Sequence, residues 1–126
     1  METTSHSIGQ HAETACCQYL QEQGLTLLDK NYRGKRGEID IIMQDSDVLV
    51  FIEVRFRKNN HYGGALASIT PKKQQRILAT AEQYLQHETN IKNGRIDVVA
   101  MSKKPQNTLS SHLDKNYDFE WIKNAF

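Results

Sequence analysis

Two apolar segments in the middle of the chain carry acidic residues, and that combination constrains the fold more than any other feature. Gly37 to Met43 runs into the turn Gln44-Asp45-Ser46-Asp47, and Val48 to Arg55 runs back. The pattern predicts a β-hairpin. Side chains alternate faces along a strand. Glu38, Asp40 and Ile42 are therefore expected on one face of the first strand, and Leu49, Phe51, Glu53 and Arg55 on one face of the second. Any antiparallel register that pairs Asp40 with an odd-numbered residue puts Asp40, Glu53 and Arg55 on the same side. Carboxylates facing each other across a strand pair repel. A bound cation removes the repulsion. Glu53 also ends the apolar run Val48 to Ile52, where charge is normally excluded.

Charge is distributed unevenly around this hairpin. The net charge is only +1, yet Lys30 to Arg76 holds ten Lys and Arg against five Asp and Glu, a local +5. The rest of the chain has six against ten, a local −4. Segregation of this kind suits a polyanionic partner such as nucleic acid. It also arises on an ordinary solvated surface, and composition alone leaves both readings open.

The 126 residues suffice for one domain with one core. With 38% hydrophobic and 25% charged residues, the composition is that of a soluble globular protein. No apolar run approaches the ~20 residues that cross a bilayer. Met1 to Ile8 is polar and lacks the apolar stretch of an export signal, so a cytoplasmic protein is expected. The only cysteines, Cys16 and Cys17, are adjacent. Neither metal spacing nor a disulfide is expected of them, and two reduced thiols on a helix fit a reducing compartment.

Ile8, Ala12, Ala15, Cys16, Tyr19 and Leu20 have the spacing of an amphipathic helix, closed by Gly24. Leu25 to Tyr32 reads as a strand. Arg33 to Gly37 is a basic turn flanked by glycines, and Arg57 to Ala67 is a loop. Thr70-Pro71 starts a second helix, with Thr as cap and Pro in the first position; it continues through Leu85. Arg95 to Ala100 is a further strand, Ser102 to Asn116 a polar loop, and Tyr117 to Ile122 a last strand or edge segment. There is no internal repeat. The order is that of an α/β fold with one mixed sheet between helices.

Two acidic side chains on neighbouring strands supply the oxygen ligands that Mg²⁺ or Mn²⁺ prefers. Beside a basic surface, such a site suits phosphodiester hydrolysis: the metal polarises the phosphoryl oxygen and activates a water, and a nearby cation neutralises developing charge. Asp40, Glu53 and Arg55 are the residue types for these roles. A plain ion pair of Glu53 with Arg55 or Arg36 is the structural alternative. Glu13, beside the apolar stripe of the first helix, can reach the sheet and complete the site, or simply lie near a helix start where acids are favourable. Lys72 and Lys73 oppose the dipole of the second helix, which a bound phosphate would relieve. Exposed lysines that extend into water are the plainer reading. The histidines show no ligand spacing; His61, in the loop after the second acidic strand, is the one placed near the site.

At these residues the chain resembles the YraN family. The resemblance is carried by Arg36-Gly37-Glu38-Ile39-Asp40-Ile41-Ile42, Val50-Phe51-Ile52-Glu53-Val54-Arg55, Tyr62-Gly63-Gly64-Ala65, Lys73-Gln74, Arg95-Ile96-Asp97-Val98-Val99 and Glu120 to Phe126. That family looks like part of the restriction-endonuclease-like superfamily, near the archaeal Holliday-junction resolvases. The resemblance implies a single restriction-endonuclease-like domain over 1–126, a mixed β-sheet flanked by α-helices. The superfamily places an acid on one strand and Glu-x-Lys on the next, which carries over to Asp40 and Glu53. Glu13 matches the helix acid that resolvase-like members place near the metal. Arg55 departs from the pattern, because arginine stays charged and cannot act as a base. Lys73 is the candidate to replace the missing ammonium.

These readings converge on a metal-dependent nuclease acting on DNA, branched or single-stranded. Asp40 and Glu53, supported by Glu13, would hold Mg²⁺ or Mn²⁺. Arg55 and Lys73 would stand at the phosphate, and Arg33, Lys35, Arg36, Arg57, Lys58, Lys72 and Arg76 would follow the backbone. The alternatives are a nucleic-acid-binding module without turnover, which Arg55 favours, and a protein-interaction domain. The sequence does not set the oligomeric state, and a dimer is compatible with it.

Overall fold

The structure is a computed structural model, described over residues 5–57, 64–88, 93–103 and 117–126; for 5–9, 57 and 65 only the backbone is described. The chain runs α1 (Ser5–Glu22), β1 (Thr26–Arg33), β2 (Glu38–Asp45), β3 (Val48–Arg57), α2 (Gly64–Ala67), α3 (Pro71–Gln86), β4 (Asn93–Lys103) and β5 (Tyr117–Ile122). The five strands form one mixed sheet in the order β1-β2-β3-β4-β5. Neighbours are antiparallel except β3 and β4, which are parallel. A parallel pair needs a crossover, and α2 and α3 supply it.

The local signals explain where the helices stop and start. Gly24 closes α1 with φ +105°, while the Leu25 N–H donates to the Leu20 carbonyl at 3.1 Å. Thr70 caps α3, its hydroxyl accepting the Lys73 N–H at 3.2 Å, and Pro71 follows in the first turn. Among the described residues no helix is long and apolar enough to cross a membrane.

Both faces of the sheet are buried. Ala12, Ala15, Cys16 and Leu20 of α1 pack on Ile41, Met43, Val50, Ile52, Val99 and Met101. Ile77 and Ala81 of α3 pack on Ile39, Ile42, Leu49, Phe51, Ile96 and Val98. Cover on both sides is why β3 reads as an unbroken apolar run. Cys16 and Cys17 are buried free thiols.

The structure departs from the expected elements in three places. A short helix, α2, forms within the expected 57–67 loop. β4 extends to Lys103, so Ser102, expected to open a polar loop, is a buried strand residue. The third difference matters for the site. Strict alternation would put Ile39 on the face of Ile41 and Met43, yet Ile39 packs with Ile42 against α3. The alternation in β2 slips between Ile39 and Ile41, so the expectation that Glu38, Asp40 and Ile42 share a face by simple pleating does not hold. Three local features accompany the slip. Asn31, in the facing part of β1, has a left-handed φ of +53°. The β2–β3 ladder ends at Ile41–Ile52. Beyond it, the Val54 N–H donates at 2.8 Å to a side chain, Asp40 Oδ2.

Candidate metal centre and nucleic-acid interface

Asp40 sits where β2 and β3 part, and its carboxylate substitutes for the next rung of the ladder by accepting the Val54 N–H. Glu53 follows Ile52, the last paired residue of β3, so the two acids meet at the mouth of the split. Each acts on the other, and two carboxylates this close repel unless one takes up a proton or a cation lies between them. Burial pushes both upward, and Glu53 is raised to about 8, with the Asp40 charge adding to the desolvation and Arg55 opposing it. The pair as a whole is thus driven to hold a proton, and a cation would relieve the same repulsion.

Arg55 Nη2 lies 3.0 Å from Glu53 Oε2, and both side chains are mostly shielded. This is the ion pair foreseen as the structural alternative. It leaves Arg55 incompletely used: its Nε is buried and, among the described residues, has no hydrogen-bond partner. A buried donor left in that state costs about 1–3 kcal/mol. Glu13, half-buried on α1, feels the same site. It is raised to about 7, chiefly by burial and then by the charge of Asp40, against a hydrogen bond from Asn31 and the charge of Lys30. Glu38 is exposed, 3.4 Å from Arg33, and adds negative potential to Glu13, Asp40 and Glu53.

Mg²⁺ takes one or two protein carboxylates, with waters and substrate phosphates completing its shell. The Asp40–Glu53 pair has that donor set, and a dication would do with two charges what the shared proton does with one. Among the described residues no three acidic, histidine or cysteine side chains gather closely enough to hold a metal ion by themselves. Asp40 and Glu53 are thus the facing pair, and Glu13 is near enough to feel the charge of Asp40.

The basic residues form a patch that the chain order hides. The Arg33–Gly37 turn closes through the Gly34 N–H and Gly37 carbonyl at 2.8 Å and rests on α3, where the Lys35 N–H donates to Gln83 Oε1 at 2.9 Å. The approach is closest at Gly34, where a Cβ would come within 2.6 Å of Gln83 Oε1 and 3.2 Å of Thr80 Cγ2; one at Gly37 would make an ordinary contact with Arg76 Cβ at 3.6 Å. Arg33, Lys35, Arg36, Lys72, Lys73 and Arg76 are all exposed, and the turn brings its charges beside those of α3. The start of α3 has few N–H groups to offer a phosphate. Pro71 has none, Lys73 donates to Thr70 Oγ1, and Gln74 donates to the Thr70 carbonyl at 2.9 Å. The lysine side chains carry any phosphate contact there. Lys73 stands on the exposed first turn, and the cation placed against the acid pair is Arg55. Lys58, His61 and the side chain of Arg57 lie outside the described residues.

Asn31 and the Val54 N–H escape a sequence reading, because neither carries a charge. Asp97 escaped it too, although an acid in the apolar run Ile96–Ala100 is the same signal that singles out Glu53. Asp97 is fully buried. It accepts from Arg95 Nε at 3.1 Å, Trp121 Nε1 at 2.9 Å and the Asn124 N–H at 3.0 Å, and Arg95 reaches on to Asp45 at 3.1 Å.

Fold and site together describe an α/β protein with a mixed sheet, a buried carboxyl pair at a strand split, and a basic flank. The model of the family described as "Uncharacterised protein family UPF0102" matches residues 12–101. A UPF0102 protein of Herminiimonas arsenicoxydans is 43% identical over 112 residues, 89% of this chain and 90% of its own. One from Pseudomonas syringae pv. syringae is 39% identical over 126 residues, covering 98% and 96%. One from Nitrosomonas europaea is 44% identical over 118 residues, covering 94% and 92%. The chain belongs to the UPF0102 family, the YraN family that its motifs resemble.

Proposed function

We propose that this protein is a metal-dependent nuclease that hydrolyses phosphodiester bonds in DNA, branched or single-stranded, in the cytoplasm. One observation carries the reading: two largely shielded carboxyl groups, both pushed upward by burial, meet at the end of a strand ladder, beside an arginine whose buried Nε has no hydrogen-bond partner among the described residues. The mixed sheet between helices is compatible with the restriction-endonuclease-like fold that the motifs imply.

Asp40 and Glu53 would hold Mg²⁺ or Mn²⁺. The metal, when bound, supplies Lewis acidity and an activated water. Asp40 is held in place by Val54. Glu53 would hold the ion beside it as a carboxylate. Arg55, always charged, neutralises the phosphate and directs Nε at one of its oxygens. The turn at Lys35–Arg36 and the α3 residues Lys72, Lys73 and Arg76 hold the backbone on either side.

Arg55 also favours a second reading, a binding module of the same fold without turnover, because the lysine of the superfamily pattern is replaced by a residue that cannot take a proton. Purified protein assayed with Mg²⁺ and with Mn²⁺ on junction, flap, duplex and single-stranded DNA separates the two. Cleavage that Asp40→Asn abolishes supports the nuclease. Salt-sensitive binding with no cleavage under any metal leaves the module.

A further inference from the structure

The Arg33–Gly37 turn carries three cations, yet the contacts that seat it on α3 involve no charge. Lys73, Arg76, Thr80 and Gln83 are spaced three and four residues apart, so they share one face of that helix. The turn rests on the later part of this face. Gln83 Oε1 accepts the Lys35 N–H at 2.9 Å. Thr80 is fully buried, its hydroxyl donating back to the Arg76 carbonyl at 2.8 Å. Gly34 does not have the positive φ that by itself calls for glycine. Close approach explains it instead: a Cβ there would meet Gln83 Oε1 at 2.6 Å and the Thr80 methyl at 3.2 Å. Position 34 thus leaves room for the amide at position 83. The bond from the Gly34 N–H to the Gly37 carbonyl closes the turn on itself but does not fix where it points. The bond to Gln83 does.

We propose that Gln83 is a positioning residue of the DNA-binding surface: its side-chain carbonyl latches the basic turn to α3, so that Lys35 and Arg36 are presented with Lys73 and Arg76 as one preformed set of phosphate contacts. The inference rests on the basic flank being where DNA binds. A free turn must be ordered as the DNA docks, which lowers affinity, and a turn already fixed avoids that loss. Gln83 suits the task because it is neutral. It accepts a backbone N–H without adding a negative charge among the cations.

The test is fluorescence anisotropy of the full chain with a labelled single-stranded oligonucleotide and a labelled four-way junction, in EDTA, with thermal unfolding measured on the same preparations. Gln83→Met keeps the length of the side chain and its helix propensity but lacks the carbonyl. The bond it removes is exposed, so water takes over the Lys35 N–H and the Tm should stay that of wild type. DNA affinity should fall about three- to tenfold. Gly34→Ala, which pushes Gln83 Oε1 aside, should lose a similar factor, and the two changes together should lose no more than either alone. In a Lys35→Ala/Arg36→Ala background, Gln83→Met should cost nothing further, because the tip of the turn then has no cation to present. The positioning role is overturned if Gln83→Met or Gly34→Ala binds DNA like wild type. It is equally overturned if the loss persists in the Lys35→Ala/Arg36→Ala background, or comes only with a falling Tm. Wild-type protein that binds neither DNA, or binds without salt dependence, would remove the basic flank as the DNA surface, and this inference with it.

Discussion

Among the described residues, the acid Asp97 and the acid pair Asp40–Glu53 are built on opposite principles. Asp97 is fully enclosed and its oxygens are occupied by a guanidinium, an indole N–H and a backbone N–H. Its donors come from β4, β5 and the turn after β5, so it ties the end of the chain to the sheet, where the Ala125 N–H also bonds the Ile96 carbonyl at 2.8 Å. The Asp40–Glu53 pair sets carboxyl against carboxyl, and beside it Arg55 Nε has no hydrogen-bond partner among the described residues. Buried polar groups that are fully satisfied specify structure. Those left unsatisfied in a structure otherwise well paired call for an explanation, a bound ion among them. Each prediction below tests whether the contrast separates a structural acid from the proposed functional ones.

The largest effects should divide cleanly between the clusters. Asp97→Ala strands Arg95 in the interior and should cost about 3–5 kcal/mol of stability in urea unfolding. Asp40→Asn should leave the fold intact and reduce metal-dependent cleavage by about 10²–10³-fold or more. If Asp40→Asn unfolds the protein as badly as Asp97→Ala, the two clusters are of one kind and the distinction fails.

The next effect is on pH. Glu53 is raised from 4.5 to about 8 and Glu13 to about 7 in the folded protein. The folded state therefore binds these protons more tightly than the unfolded chain. Their contribution is full below about pH 4.5 and is lost as pH rises through 7 to 8, by on the order of a few kcal/mol at most. Glu13 contributes the smaller part because it is half-exposed. Unfolding of metal-free protein between pH 5 and 9 should follow this decline, and Glu53→Gln should flatten it. Added Mg²⁺ should flatten it as well, since the ion takes the place of the proton, and its affinity should climb over the same range. A slope identical in wild type and Glu53→Gln would break the account of the pair.

Arg55 comes third. Its replacement by Ala should lower cleavage about tenfold or more, by removing a charge from the phosphate site; Arg55→Lys should preserve or raise it, restoring the superfamily residue. If Lys73→Ala proves the more damaging, the working ammonium comes from α3 instead. The smallest effect belongs to the basic flank. Lys72→Ala should weaken DNA binding evenly across sequences and reduce the salt slope by about one. An unchanged slope would place the DNA elsewhere.

The elements around these clusters were legible because each depends on near neighbours in sequence. Thr70-Pro71 and Gly24 bound their helices by capping, and β3 announced burial on both faces by its unbroken apolar run. The candidate acids were legible for a related reason: a charge inside an apolar strand is conspicuous wherever it falls. The same rule applied to Asp97 finds the residue but not its kind, because satisfied and unsatisfied acids look alike in sequence. What separates them are partners 24 and 27 positions away, Trp121 and Asn124.

The sequence by itself determined the mixed α/β order, the helix limits, the carboxylates worth watching and the excess of positive charge between Lys30 and Arg76. Those follow from spacing and composition, which are properties of a string. Tertiary structure alone decided that β2 abandons strict alternation at Asp40, that Asn31 takes a left-handed turn opposite it, that the Arg33–Gly37 turn rests on α3, and that Asp97 is enclosed by donors while Asp40 and Glu53 meet at the end of the ladder. Each is a matter of which buried donor meets which acceptor, and desolvation makes that choice only once strands and helices have closed around the groups.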